Sequence, residues 1–164
     1  MPATPILVLL LAVTLWIALG FGLAHWSGWR MLAIYYRGTV PDHGMRWYFI
    51  GARLGPVGYR RCLTLGADPR GIGLSMWLPL RFSHRSLYIP WAEIDELKPC
   101  HGTARPMVRL QLRRTPGVAI ELPRQLAIDA LRQTYGHVLP PGANALLAPN
   151  TRPGAAAPRR LESA

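Results

Sequence analysis

The chain has 164 residues, half of them hydrophobic, and a formal charge of +11. Of its 19 basic residues all but Lys98 are Arg. With its richness in Ala, Gly and Pro, this skew reads as the coding bias of a GC-rich bacterium, so the charge is no argument for a nucleic-acid partner. Cys62 and Cys100 stand alone, with no C-x-x-C and no Cys/His spacing, which excludes a disulfide-rich scaffold and an ordinary zinc site.

From Pro5 to Ala24 no side chain is charged. As a helix these residues span about 30 Å, the thickness of a bilayer's hydrocarbon core. Only Thr14 interrupts the apolar surface, whereas a buried core helix shows a polar stripe. A cleaved signal wants a basic n-region and a shorter apolar stretch, and Met1–Thr4 carries no Lys or Arg. A permanent anchor is the expected reading. Behind it come Arg30, Arg37, Arg46, Arg53, Arg60 and Arg61, with Asp42 the only acid in that stretch. Basic residues near a membrane end stay cytoplasmic, so the amino terminus is expected outside and the rest inside. Trp26, Trp29, Tyr35 and Tyr36 sit where amphipathic rings lie at headgroup level, or where a helix continuation packs into a domain.

Residues 1–29 are therefore expected to form the anchor and 30–44 a juxtamembrane helix and linker. Residues 45–136 form one small domain, and 137–164 a Pro/Ala/Arg-rich tail. Arg30–Arg37 prolongs the anchor helix by two turns until Gly38 and Pro41-Asp-His-Gly44 break it. Trp47–Ile50 reads as a short strand. Gly51–Gly58, with three Gly and a Pro, reads as a bend or loop. Tyr59–Leu65 alternates with Arg61, Leu63 and Leu65 on one side. Asp68-Pro-Arg-Gly71 is a turn, and Ile72–Leu78 returns at period two to make a hairpin.

Leu87–Trp91 is a strand with Leu87, Ile89 and Trp91 on one face, and Pro90 belongs at an edge or bulge. Val108–Arg113 turns Val108, Leu110 and Leu112 inward. Thr115-Pro-Gly117 reverses the chain and Val118–Leu122 completes a second hairpin. After Pro123, Arg124–Tyr135 reads as a helix with Ala127, Ala130, Leu131 and Thr134 on one face and Gly136 closing it. From Val138 the chain has too few large apolar residues to order itself, Leu146-Leu147 excepted. The fold class is α+β: a transmembrane helix, then a small antiparallel β domain closed by a carboxyl-terminal amphipathic helix.

Two stretches resemble the pleckstrin-homology-like (PH-like) superfold, in particular GRAM-like bacterial domains. Leu65-Gly-Ala-Asp-Pro-Arg-Gly-Ile-Gly-Leu-Ser75 is similar to its strand, glycine turn and following strand. Leu87-Tyr-Ile-Pro-Trp-Ala-Glu-Ile94 is similar to its I-P-W-x-x-I segment. The resemblance covers Trp47 to Tyr135. It implies that Trp91 and Ile94 plug a core while Glu93 faces solvent or caps a turn. Phosphoinositide-binding members of the superfold use a basic cluster between the first strands. Here Gly51–Gly58 contains Arg53 and is followed by Arg60 and Arg61. The fold hosts many unrelated roles and assigns none by itself.

No constellation carries an obvious reaction. His25, His43, His84, His101 and His137 lie at no metal-binding spacing from one another. Asp42-His43 reads as a solvated turn, and Cys100-His101 lacks a third orienting group. Glu93, Asp95 and Glu96 read as a solvated strand edge, and Arg109, Arg113 and Arg114 as a solvent-facing row. Gly71-Ile-Gly73 opens a strand rather than a helix, so it is no phosphate cradle.

The expectation is a single-pass protein of the bacterial inner membrane. It displays a non-catalytic PH-like binding or scaffolding domain at the cytoplasmic face, with no cofactor, metal or nucleic acid. Arg30, Arg37, Arg53, Arg60 and Arg61 are the expected contacts to anionic lipid headgroups. Failing those, a protein partner would bind through an exposed strand edge. Two alternatives stand beside it. One is an enzyme or enzyme subunit, which a deep polar pocket with converging titratable groups would favour. The other is an envelope protein facing outward, which a Cys62–Cys100 disulfide would favour.

Overall fold

The computed structural model describes residues 3–77, 80–101, 105–133 and 139–148. Helix α1 (Ala3–Trp26) contains the one stretch among the described residues long and apolar enough to cross a membrane, and only 6% of its membrane-length window is buried. That exposure removes the core-helix reading. Fully apolar side chains such as Leu7, Leu11 and Leu15 stand exposed, which suits lipid and not water.

The helix does not run on into Arg30–Arg37. It stops at Ser27-Gly28, where Gly28 takes a left-handed φ of 75°, and a separate helix α2 (Trp29–Tyr35) leaves the corner. Trp29, Leu32 and Tyr36 are buried in the domain core, so α2 belongs to the domain's packing.

Seven strands follow: β1 (Met45–Leu54), β2 (Val57–Ala67), β3 (Gly71–Met76), β4 (Leu87–Pro90), β5 (Ile94–His101), β6 (Pro106–Leu112) and β7 (Ile120–Pro123). They form one sheet in the order β4-β3-β2-β1-β7-β6-β5, and every pairing is antiparallel. The two ends of that order are consecutive in sequence, joined only by a 3-10 turn, Trp91–Glu93. Three residues reach about 10 Å. The sheet must therefore curl until its edges approach at this corner. Two irregularities help bend the long β1–β2 pair, near Phe49 (φ 54°) and Arg61 (φ 51°). Gly51–Leu54, expected as loop, continues β1, and only Gly55-Pro56 turns. The Gly and Pro content misled because pairing with β2 and β7 overrides local propensity. Arg61 also leaves the face of Leu63 and Leu65. It is exposed, because the irregularity breaks the alternation.

The core is the inside of the curl. Leu54, Leu63, Leu65, Ile72, Leu74 and Leu112 are fully buried in it, with partners from every strand. Trp91 and Ile94 are buried as expected, and Trp91 Nε1 donates to the Asp68 carbonyl at 3.0 Å. The Asp68 turn is closed by its own carboxylate, which accepts from the Arg70 and Gly71 amides at 2.8 and 2.7 Å. It also accepts from the Tyr88 hydroxyl at 3.0 Å. Burial and that bond push the Tyr88 pKa up to about 12. Glu93 does not simply face solvent. It accepts from Arg114 at 3.1 Å and from the Tyr36 hydroxyl at 3.3 Å, tying the end of α2 to the far side of the sheet. In the Arg row, Arg109 pairs with Glu121 across β6–β7 at 2.7 Å.

Helix α3 (Arg124–Leu131) packs on β6 and β7 with Ala127, Ala130 and Leu131 buried as read, and Ile128 with them. Thr134 to Gly136 lie outside the described residues. Composition predicts a flexible tail from Val138, Leu146-Leu147 excepted. Residues 139–148 pack down around that exception and form helix α4 (Ala143–Leu147), with Ala143 and Leu146 buried; residues 149–164 lie outside the described residues. The Leu97 amide donates to the Pro141 carbonyl at 3.1 Å, so this segment covers part of the β5 edge. Residues 36–38 cover the opposite edge: Tyr88 donates to the Tyr36 carbonyl at 2.7 Å and Gly38 to Ser86 at 3.2 Å. Both sheet edges are thus partly occupied by the chain itself, which leaves little room for strand addition by a partner.

Candidate membrane-proximal site

The α1–α2 corner is where the chain leaves its apolar run, and several elements converge there. Trp29 Nε1 donates to the Arg85 carbonyl at 2.8 Å, and the Trp29 ring meets the rings of Tyr59 and His84 at 5.9 and 5.0 Å. The segment between β3 and β4 reaches back to α1. A Cβ on Gly20 would lie 2.9 Å from Phe82 and 3.0 Å from Ser83, and Phe21 and Phe82 meet edge-on with centroids 5.9 Å apart. Gly20 and Ala24 are buried. The last turns of α1 are therefore a docking surface for the domain, and a swivelling tether is excluded by this packing.

Under the corner lies a closed polar network. His84 is fully buried, its Nε2 2.9 Å from the Tyr59 hydroxyl and its Nδ1 2.8 Å from Ser83 Oγ and 3.2 Å from the Leu80 carbonyl. A neutral imidazole satisfies all of these: Tyr59 donates to Nε2, and Nδ1–H donates toward Ser83 and Leu80. Burial lowers the His84 pKa from its ordinary value and raises that of Tyr59. The constellation resembles a catalytic pair in name, but it is sealed from solvent.

The sign of the pH effect follows from the depressed pKa. Below about 6.5 the unfolded chain takes up a proton on His84 that the folded chain resists. The stability is therefore complete above that pH and is lost as pH falls toward the folded-state value, by up to about 1.4 kcal/mol per pH unit. Thermal unfolding of the detergent-solubilised chain should show a Tm that drops between pH 7.5 and 5. The drop should be shallower in His84→Gln; equal slopes would mean that His84 is not the titrating group.

The five Arg residues expected at a lipid surface occupy different places. Arg30, on α2, and Arg37, just after it, line a groove beside the end of α1, and both are exposed. Arg53 lies exposed on β1, opposite Glu121 and Gly58 and two residues before the Gly55-Pro56 turn. That turn lines a second hollow with Trp26 and Met31, on which Arg30 also borders. Arg60 and Arg61 are exposed on β2 at its irregular stretch. Arg85 was not singled out in sequence. It lines the same groove as Arg30 and Arg37, and the basic-aromatic run Arg81-Phe-Ser-His-Arg85 was the signal available for it.

Among the described residues no group of three His, Cys, Asp or Glu is placed to hold a metal. Cys62 on β2 and Cys100 on β5 are free thiols, and burial raises the pKa of both, which makes each a poorer nucleophile at neutral pH. Compared with protein-family models, with curated proteins and with solved structures, the chain matches none.

Proposed function

We propose that this is a single-pass protein of the bacterial inner membrane that holds a non-catalytic, PH-like binding or scaffolding domain against the cytoplasmic face. The observation that carries the reading is the corner. An exposed apolar helix long enough to span the bilayer passes through two residues into α2, whose Trp29 and Leu32, with Tyr36 just after them, are part of the domain core. Such a domain has a fixed pose at the headgroup layer. The exposed rings of Trp26 and Tyr35 lie beside that corner, the depth at which amphipathic aromatics sit.

What supports the PH-like part is the curled seven-stranded antiparallel sheet closed by a helix after its last strand. Within it, the Ile89-Pro-Trp-Ala-Glu-Ile94 segment supplies a plugging Trp91 and Ile94. The orientation rests on the Arg residues behind the helix. Those on the exposed surface, Arg30, Arg37, Arg53, Arg60 and Arg61, would add attraction to anionic lipid that fades with salt.

Reporter fusions at the carboxyl terminus test the orientation. A fluorescent protein that matures only in the cytoplasm should be bright, and a phosphatase that works only outside should be silent. The reverse pair of results would place the domain in the envelope.

A further inference from the structure

We propose that the groove between α1, α2 and residues 80–86 binds one anionic phospholipid, with its phosphate on Arg30, Arg37 and Arg85 and an acyl chain along Phe21 and Phe82. The groove has a volume of ≈ 610 Å³. Its lining combines aromatic rings with basic side chains. Phe21 belongs to the apolar run and is about 7 Å below the helix end by helical rise, so it lies at hydrocarbon depth. Phe82 stacks on it edge-on, and both rings remain about half exposed, at 51% and 48%.

The same groove is lined by three arginines, contributed by α2, by the residue pair that follows it, and by the segment before β4. No Asp or Glu is among the described residues lining the groove. None of the three guanidiniums has an ion-pair or hydrogen-bond partner among the described residues, although five other basic residues do have acidic partners.

Three like charges around one hollow repel each other unless an anion sits among them. Arg presents planar donors that suit phosphate oxygens. An inorganic phosphate would satisfy the charges but leave Phe21 and Phe82 uncovered. An acidic protein segment would have to reach below the headgroup layer to cover Phe21. A phospholipid matches both kinds of lining, and charge complementarity at a membrane surface points to the anionic class. The site is not the loop between the first two strands: Arg53, Arg60 and Arg61 do not line it.

This inference rests on α1 being a membrane anchor and is independent of which side the domain faces. The test is native mass spectrometry of the full chain in mild detergent, with phosphatidylglycerol or phosphatidylcholine added. The wild type should retain one phosphatidylglycerol per chain, at least tenfold over phosphatidylcholine. The triple variant Arg30→Gln/Arg37→Gln/Arg85→Gln should lose that preference, while Arg70→Gln/Arg105→Gln/Arg113→Gln, at three exposed arginines away from the groove, keeps it. Phe82→Ser should weaken retention of both lipids.

Equal retention of the two lipids by the wild type would overturn the site, as would loss of preference in both triple variants. Displacement of the lipid by millimolar inorganic phosphate would reduce it to a phosphate site and overturn the lipid assignment. Liposome flotation of the same proteins separates the two readings. If the wild type does not float, the anchor itself fails; if it floats but retains the two lipids equally in mass spectrometry, the groove fails alone. Circular dichroism of each variant guards against misfolding, and the single variant Arg85→Gln, expected to reduce the preference severalfold, serves if the triple one does not fold.

Discussion

Trp29→Ala is expected to destabilise the domain by about 3–5 kcal/mol, enough to consume much of the margin of a typical small domain. The ring is fully buried, touches Tyr59 and His84, and its Nε1–H satisfies the Arg85 carbonyl. Deleting it opens a cavity where α2, β2 and residues 80–86 meet, and leaves a part-buried carbonyl without its donor. Denaturant titration in micelles, followed by near-ultraviolet circular dichroism, should show the loss. Trp29→Phe should fall in between, because it keeps part of the volume but not the donor.

The variant should still enter the membrane, since α1 is untouched, and this separates domain stability from anchoring. If Trp29→Ala left the unfolding midpoint where it is in the wild type, α2 would be a linker. The fixed pose of the domain would then have no basis.

The same residue shows where sequence reading reaches its limit. Trp26, Trp29, Tyr35 and Tyr36 look alike from composition, four amphipathic rings after an apolar helix. The structure divides them: Trp29 and Tyr36 are buried, while Trp26 and Tyr35 are exposed. The divide is made by the corner at Gly28, where the chain takes a left-handed φ and a Cβ would lie 2.6 Å from Val118. Nothing local to the helix records a neighbour ninety residues away.

Elements with strict alternation were legible. Val108, Leu110 and Leu112 face inward in β6 as their spacing demands, and Leu87, Ile89 and Trp91 do so across β4 and the turn after it. Elements fixed by long-range contact were not. Strand β5, with three charged residues and a proline, is held by β6 on one side and by Pro141 on the other. Helix α4 exists because Ala143 and Leu146 find a surface that composition cannot supply. The candidate site divides the same way. Arg30 and Arg37 could be chosen by their nearness to the membrane run, but Arg85 joins them only because the segment before β4 folds back on α1.

That fold-back changes what the anchor does. A free tether would give the domain a range of poses and a high local concentration at the membrane. Contacts of Phe82 and Ser83 with Gly20, and of Trp29 with Arg85, hold one pose. The groove proposed for lipid and the fixed pose then depend on the same residues, so a variant that loosens the corner should blunt lipid preference as well as stability.

Gly73→Val is expected to cost about 3 kcal/mol and to release the strap between α2 and β1. Gly73 on β3 pairs with Gly66 on β2, and Val40 and Pro41 lie across this pair. A Cβ at 73 would stand 2.6 Å from Pro41 Cδ and 2.7 Å from Val40 Cα, so the clash is with a proline ring and with backbone. Neither can rotate away; the strap must lift. It is held down by Arg46, whose Nε donates to the Pro41 carbonyl at 2.8 Å and which also pairs with Asp42, so lifting it breaks those bonds too.

Gly66→Ala should cost less, because the nearest atom there is Val40 Cγ1, which has a torsion to yield. Gly58→Ala is the control: a Cβ there meets nothing within 4 Å. The checks are the denaturation midpoint and the rate of tryptic cleavage at Arg37, which should rise in Gly73→Val and stay at the wild-type rate in Gly58→Ala. A Gly73→Val protein with wild-type midpoint and cleavage rate would show that the strap does not lie on the glycine pair, and that the path from anchor to β1 is not fixed by the sheet.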